Sequence, residues 1–512
     1  MSKLARLPDF LFFGTAALGA AVVLSARYVP YADTTNVLAR QVLLEGCWFG
    51  TPPADFQAAL KPTPYVGLDL FAAAFVHLFS AAAAAKALAL LALLLPPLGC
   101  YLLLCATAPA RRGWAVVALL LSFNWFFFVG SIHYLVGWGL LLVWLAGYVR
   151  MKRSSSELLL GLLALTSPLL LLVHLSAAIS LLVIAGVDAV LAFGHAVQER
   201  SDNEEAPLIS FATVAPVAVA VPVLLLAYAM GRTLATPPEG AAPEFRPWPD
   251  KLGQLLTPFY SFSARQCAVM AGGYLAALAI FLVAYRRSLR PGPVGLSALA
   301  FLALYFAFPV AVGGTCDLDV RFLLPAMLLP FCAEGAPDEA PGRRWWLLPW
   351  AACLVNFVLV AGPVRAIDGE LAAYREALDR LPEGSAVLPL DGDDGRHGRV
   401  RPYRYFAHWL LIARRGRVPG TFAAPDYSFH DHFRRTGPEL YEPEPEWGEK
   451  GFPPLDWAAI RAQYQYVILA GDAAAAVALV AEGARPVSRS GDVTVYRVES
   501  AAPHKALARA TK

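Results

Sequence analysis

Long apolar runs recur along this chain, and they restrict its fold more than any other feature. Several are roughly 18–22 residues long, and about 20 apolar residues in a helix can cross the hydrocarbon core of a bilayer. Only 16% of the residues are charged, whereas an average soluble domain has about 25%. We therefore expect a polytopic α-helical membrane protein that is embedded in the lipid bilayer.

Twelve segments are candidates for membrane spans, and the basic loops between them indicate how they cross. Short loops rich in Lys and Arg remain in the cytoplasm. Such loops occur at residues 111–112, 150–153, 286–290 and 343–344. Lys3 and Arg6 are also expected inside. All these basic segments lie on the cytoplasmic side only if an odd number of crossings separates residue 28 from residue 111. The candidates are Asp9–Tyr28, Tyr65–Ser80, Lys86–Thr107, Trp114–Val129, His133–Val149, Glu157–Val173, Leu175–Phe193, Leu208–Met230, Cys267–Tyr285, Val294–Val312, Phe322–Cys332 and Trp345–Pro363.

One of these segments is expected not to cross. Residues 65–80 carry Asp69 and His77 and follow a proline-rich stretch, so we expect a juxtamembrane or re-entrant helix in the external interface. About eleven transmembrane helices remain, with a cytoplasmic N-terminus and an external first loop over residues 29–64. The alternative, in which residues 65–80 do cross and the basic loops invert, stays open.

A second domain follows the membrane spans. We predict a transmembrane domain over residues 1–363, an extracytoplasmic α/β domain over 364–500 and a disordered tail over 501–512. The pattern in the second domain favours helices at 366–380 and 403–414, strands at 385–390 and 466–470, and a hairpin near 485–498. Within it, the basic and aromatic stretch 399–404 is typical of a solvated face, with contact to lipid phosphate or glycan as the alternative.

Ionisable residues are scarce inside the predicted spans, and an ionisable group at a membrane is usually functional. Lys86, Glu157 and Asp188 are expected near cytoplasmic ends. The remaining candidates gather on the external side. They are Asp33, Glu45, Asp55, Lys61, His133, His174, Asp317, Asp319 and Arg321.

Four short motifs make the chain resemble the GT-C superfamily, whose members are polytopic glycosyltransferases that use polyprenyl-phosphate-linked sugars. Tyr31-Ala32-Asp33 is similar to the acidic motif of the family's first external loop, and Lys61-Pro62-Thr63-Pro64-Tyr65 resembles the Lys-Pro-Pro segment of the protein O-mannosyltransferase and aminoarabinose transferase branches. Gly130–Tyr134 and Arg321–Pro325 occupy the positions of a second-loop motif and a late Arg-Tyr-Leu-Leu-Pro motif. Two features depart from the pattern, because no second acid adjoins Asp33 and His133 stands where many members have an acid.

The resemblance implies roles for individual residues. Asp33 would be the general base that deprotonates an acceptor hydroxyl. Arg321, Lys61, His133 and His174 would bind the substrate phosphate, with the Arg321 guanidinium as a bidentate fork. Asp317 and Asp319 are further candidates. No metal-binding motif, P-loop or dinucleotide fingerprint is present, so we expect no metal and no cofactor besides the lipid-linked donor.

The sequence thus favours a transferase that moves a sugar from a polyprenyl phosphate to an extracytoplasmic lipid, glycan or protein. Its expected location is the inner membrane of a bacterium. Two other functions remain open: a secondary transporter or lipid flippase, which would need internal repeats and broken helices, and a non-catalytic assembly subunit of the same fold. A nucleic-acid partner is not expected, because the net charge is only +3 and no basic stripe with interleaved aromatics occurs.

Overall fold

The computed structural model describes most of the chain, and the part it describes is mainly helical. The described residues are 6–30, 32–50, 56–58, 63–204, 206–231, 242–290, 292–312, 316–335, 344–391, 397–420, 433–435, 440–441, 455–471 and 473–499. Their α-helices are α1 (Leu7–Ser25), α2 (Thr34–Phe49), α3 (Val66–Leu78), α4 (Ala81–Thr107), α5 (Val116–Leu120), α6 (Trp125–Val129), α7 (Ile132–Ser154), α8 (Glu157–Val173), α9 (Leu175–Asp202), α10 (Phe211–Gly231), α11 (Trp248–Gln254), α12 (Ala264–Tyr285), α13 (Pro293–Ala307), α14 (Leu323–Leu328), α15 (Leu347–Asp379), α16 (Trp409–Arg414), α17 (Trp457–Gln463) and α18 (Ala473–Ala481).

Seven of the described helices are long and apolar enough to cross a membrane, namely α1, α4, α7, α9, α10, α12 and α15. Three shorter apolar helices, α3, α8 and α13, accompany them. Large apolar side chains such as Phe10, Leu165 and Val358 are exposed on the helix surfaces, as expected where lipid is the solvent. The chain is therefore a polytopic helical membrane protein, and this predicted class is confirmed.

Two predicted spans do not form single helices. The apolar run 114–129 becomes a 3₁₀ turn over Pro109–Ala115 followed by α5 and α6. Asn124 causes the break, because its side chain accepts from the Phe127 amide at 3.0 Å and donates to the Leu121 carbonyl at 2.7 Å. The run 322–332 contains only a 3₁₀ turn over Val320–Phe322 and the six-residue α14. Hydropathy finds these apolar segments but does not detect such local caps.

Glycines allow the central pair of helices, α4 and α7, to approach closely. A Cβ atom on Gly99 would lie 2.8 Å from the carbonyl oxygen of Gly139, and a Cβ on Gly139 would lie 2.7 Å from the carbonyl carbon of Leu95. Small residues at such crossings are the usual means by which membrane helices pack backbone to backbone. This contact packs α4 against the N-terminal half of α7, which carries His133.

Basic loops meet at one end of the bundle, which we call the basic end (Arg111, Arg112, Lys152 and Arg153). Asp9, near the start of α1, accepts from Arg112 Nε at 2.5 Å. Arg111 donates to the carbonyl of Ala333 at 3.2 Å, and Arg153 donates to that of Thr107 at 2.9 Å. Lys86 is not at this end as predicted; it lies beside Arg27 at the other end.

Helix α15 joins the bundle to the C-terminal part of the chain. It runs through Pro363 without interruption, so the predicted domain boundary after residue 363 falls inside one helix. Side chains of its second half, including Leu371 and Tyr374, share a core with Val387 and Ile468 of the C-terminal sheet.

The C-terminal sheet matches its predicted strands. β2 (Val387–Asp391) lies parallel to β4 (Tyr466–Ala470), which pairs antiparallel with β6 (Val493–Arg497), and β6 pairs with β5 (Arg485–Ser490). A separate pair joins β1 (Phe56–Ala58) to β3 (Phe433–Arg435). The first loop is thus tied to the C-terminal part. The predicted tail 501–512 lies outside the described residues.

Candidate active site

Asp33 lies directly before α2, at the end of the bundle opposite the basic end. Its backbone N–H donates to the Val129 carbonyl at 2.9 Å, and that of Ala32 donates to the Phe128 carbonyl at 3.0 Å. These two bonds attach the loop to the end of α6. Although Asp33 occupies the N-cap position, its carboxylate makes no capping hydrogen bond. The carboxylate therefore remains available for a ligand.

The surroundings of Asp33 are suited to a group that exchanges a proton near neutral pH. Burial raises the pKa of Asp33 to about 6, and the positive charges of Arg404 and Arg321, which lower it, offset this only in part. A carboxylate with such a pKa is ionised at pH 7 yet is a stronger base than an ordinary aspartate. Two cations and one carboxylate from distant parts of the chain thus share this end of the bundle.

Arg321 is anchored through its backbone, while its side chain has no described acidic partner. Its carbonyl accepts from the Tyr134 hydroxyl at 2.6 Å, and its Nη2 donates to the Cys316 carbonyl at 3.4 Å. Within the described residues no carboxylate lies within ion-pair distance of its guanidinium. The guanidinium can therefore offer several N–H donors to an anion.

The sequence flagged Arg404 only as part of the basic stretch 399–404, for which a solvated face was favoured. Arg404 lies two residues before the 3₁₀ turn Phe406–His408 that leads into α16, and its guanidinium stacks on the Tyr405 ring at 5.0 Å. Its effect on the pKa of Asp33 is the largest among the charges. The basic stretch 399–404 therefore places one of its arginines close to the first loop.

Asp317 and Asp319 form an ion-pair cluster beside Arg321. Arg246 reaches Asp317 through Nη2 and Asp319 through Nη1, both at 3.4 Å, and the buried Lys251 lies 3.6 Å from Asp319. Burial raises the pKa of Asp319, while Arg246 and Lys251 lower it. Since both acids have cationic partners, this cluster supports the loop that carries Arg321.

Lys251 connects the same cluster to α13. Its Nζ donates to the carbonyls of Tyr305, Phe306 and Phe308 at 2.9, 3.0 and 2.7 Å. These carbonyls end the helix, where a positive charge is favourable. Neither Arg246 nor Lys251 was predicted, because the segment that contains them has no recognisable motif.

His133 belongs to a buried network. Its Nε2 lies 2.9 Å from Asp69 Oδ1, which also accepts from Arg40 Nη2 at 2.8 Å. Gln41 approaches the same oxygen at 3.5 Å. All four side chains are buried, and they join α2, α3 and α7. Sequence reasoning missed Arg40 and treated Asp69 only as a mark of a weak span, although a charge in an apolar helix is itself a functional signal.

His174 packs beside this network. Its Nδ1 accepts from the Ser176 amide at 3.0 Å and so caps α9. The Tyr65 ring lies between the two histidines, 5.7 Å from His133 and 4.9 Å from His174. Tyr65 has a φ of 84°, a left-handed conformation that is rare for a bulky residue. The Tyr65 ring thus contacts both predicted histidines and brings them into one cluster.

The last predicted phosphate-binding residue, Lys61, lies outside the described residues, as does Asp55. Glu45 pairs with His77 at 3.0 Å. Among the described residues, no group of three or more His, Cys, Asp or Glu side chains is close enough to hold a metal ion. The expectation that no metal takes part stays a prediction.

No model of a known protein family matches the chain, and no curated protein matches it either.

Proposed function

We propose that this protein is a membrane glycosyltransferase that moves a sugar from a polyprenyl-phosphate carrier to an extracytoplasmic acceptor. The observation that carries the proposal is the combination of Asp33, with a pKa of about 6, and the charges of Arg321 and Arg404 that act on it. A base and two cations are the groups that such a transfer needs. The short motifs around Asp33 and Arg321 support the same reaction class.

In the proposed reaction, the Asp33 carboxylate takes the proton from an acceptor hydroxyl. The acceptor oxygen forms a bond to the anomeric carbon of the sugar, and the bond between that carbon and the carrier phosphate oxygen breaks. The electron pair of the broken bond leaves with polyprenyl phosphate. Arg321 and Arg404 stabilise the negative charge that develops on the phosphate. The proton remains on Asp33 until solvent removes it.

We further propose eleven membrane crossings with the site outside the cytoplasm. In addition to the seven long helices, the crossings comprise α8, α13, the broken segment around α5 and α6, and the segment around α14. Helix α3, whose 13 residues include the buried Asp69, remains in the external interface. This arrangement leaves the basic end in the cytoplasm.

The test is donor turnover by the purified protein with a panel of synthetic polyprenyl-phosphate hexoses and pentoses, read out as released polyprenyl phosphate. Asp33→Asn should lower turnover at least about 100-fold, the usual contribution of a general base. Asp202→Asn is the matched control, because Asp202 is exposed at the far end of α9. If Asp33→Asn turns over the donor as fast as the wild type does, Asp33 is not the general base. The transferase proposal would be contradicted if the wild type turned over no donor of the panel, whether or not membrane extract was added as acceptor.

A further inference from the structure

A shallow, open groove lies at the non-basic end of the bundle, between the end of α1, the first turns of α2 and α4, and the segment that leads into α16. Its lining includes two cations, Arg27 and Lys86, and three aromatic side chains, Tyr28, Phe406 and Trp409. None of the residues that line it is acidic. The groove therefore combines positive charge with an aromatic wall.

Neither cation has an acidic partner within the described part of the chain. Arg27 is exposed and Lys86 is half-buried. Two acids lie near Tyr28, but neither pairs with Arg27 or Lys86: Asp368 accepts from the Tyr28 amide at 2.6 Å, and Asp379 accepts from Arg375 at 3.0 Å. Two neighbouring like charges without a counter-ion favour an anion from outside the chain.

The aromatic wall is ordered by contacts between the rings. Tyr28 meets Phe406 edge-to-face at 5.5 Å and Trp409 at 5.8 Å. Arg375 stacks on the Trp409 ring at 5.0 Å. Tyr and Trp are enriched at the level of the lipid headgroups, so the wall has the composition expected at that depth.

Exposed apolar side chains lie within a few residues of the groove's lining along the chain. Leu78 and Phe79, directly before α4, are 72% and 67% exposed, and Leu24, at the end of α1, is 51% exposed. In a membrane protein such surface contacts acyl chains. A molecule that satisfies both the cations and this surface carries a phosphate and a hydrocarbon tail.

We infer that this groove binds the phosphate headgroup of an anionic membrane lipid, held by Arg27 and Lys86. The inference goes beyond the proposed function and does not depend on it, because it concerns cations other than Arg321 and Arg404. Thr35, in the first turn of α2, also lines the groove. A bound headgroup therefore contacts α2, the helix that begins directly after Asp33. This contact holds α2 at the membrane surface.

The test measures lipid binding without any sugar transfer. Purified protein in detergent is titrated with short-chain phosphatidylglycerol, with phosphatidylcholine of equal chain length, and with inorganic phosphate. We expect the wild type to prefer phosphatidylglycerol over both other probes. Each cation near a lipid phosphate contributes on the order of a few-fold in affinity, so Arg27→Gln with Lys86→Gln should weaken phosphatidylglycerol binding about 10- to 30-fold.

Arg286→Gln with Arg287→Gln is the matched control, because it removes two exposed charges from the basic end. It should leave this binding unchanged. If the double variant does not fold, Lys86→Gln alone replaces it in the test and should lower the affinity for phosphatidylglycerol several-fold. Equal binding of phosphatidylcholine, equal binding of inorganic phosphate, or an equal loss in the control pair would each overturn the inference. Asp33→Asn should bind phosphatidylglycerol normally, so that failure of the transferase proposal and failure of this one are read separately.

Discussion

Asp69 accepts a hydrogen bond from Arg40 at 2.8 Å, and both side chains are buried between α2 and α3. His133 of α7 lies 2.9 Å from the same carboxylate oxygen. The pair therefore joins the first loop to the helix bundle at the end that carries Asp33. Charges removed from solvent in this way hold each other in place, and neither can be removed alone without a large cost.

Removal of the Asp69 carboxylate should destabilise the protein strongly. Asp69→Ala removes an acidic partner from the buried Arg40 charge, and breaking a buried ion pair in this way typically costs about 3–5 kcal/mol. Thermal unfolding in detergent measures the effect. The double variant Arg40→Met with Asp69→Leu should be more stable than Asp69→Ala, because it removes both charges. Glu45→Gln is the control, since its partly exposed pair with His77 is worth less than about 1 kcal/mol. A double variant as unstable as Asp69→Ala would argue against charge burial as the cause.

Transfer activity should depend on pH through Asp33. Its pKa is about 6, and only the ionised carboxylate can accept the acceptor's proton. The rate should therefore fall about tenfold for each pH unit below 6 and level off above about pH 7. Donor turnover at saturating substrate between pH 4.5 and 8.5 measures this profile. An acidic limb centred near pH 4 would indicate an ordinary, solvated aspartate.

Arg404 should influence the position of that acidic limb. Its positive charge lowers the pKa of Asp33, so Arg404→Gln should raise this pKa and move the midpoint of the profile to higher pH. Arg497→Gln, at an exposed position in β6, should leave the midpoint where it is. A lower rate without any movement of the midpoint would show that Arg404 acts on the substrate alone.

Asp33→Asn should be more stable than the wild type at pH 8, although its donor turnover should be lower. The folded-state pKa of Asp33 is raised above its ordinary value, so the folded protein binds a proton that the unfolded chain has released. Stability linked to this group is therefore present below about pH 4 and is lost as the pH rises through 6. The neutral Asn avoids that loss. The gain in melting temperature over the wild type should be larger at pH 8 than at pH 4.5, and a destabilised variant at pH 8 would contradict burial as the cause of the shift.

The crossing of α4 and α7 should not tolerate a larger side chain. A Cβ on Gly139 would meet backbone atoms of Leu95 and Pro96 at 2.7 Å, so Gly139→Ala must separate the helices and should cost about 1–3 kcal/mol. Gly161→Ala in α8 is the matched control, because no atom lies within 4 Å of its Cβ position. Melting temperatures of the two variants give the comparison. Equal stability would mean that the helices separate without cost.

Hydropathy and alternation predicted the elements where the physical signal is local. The predicted span Glu157–Val173 coincides with α8, and the predicted strand Tyr466–Ala470 coincides with β4. The break within the apolar run 114–129 was not predicted. Asn124 caps a helix there, but a single polar residue leaves the mean hydropathy of the run high. The uninterrupted passage of α15 through Pro363 was also not predicted, since a proline followed by a change of composition is typical of a boundary.

The sequence by itself determined that this protein is embedded in a membrane, because the cost of exposing polar groups to lipid is reflected in long apolar runs. It also identified Asp33 and Arg321 as candidates. Only the tertiary structure decided that Arg321 and Arg404 act together on Asp33, and that Arg40 and Asp69 meet His133. Electrostatic interactions depend on distances in space. Residues far apart in the chain acquire those distances only when the helices pack.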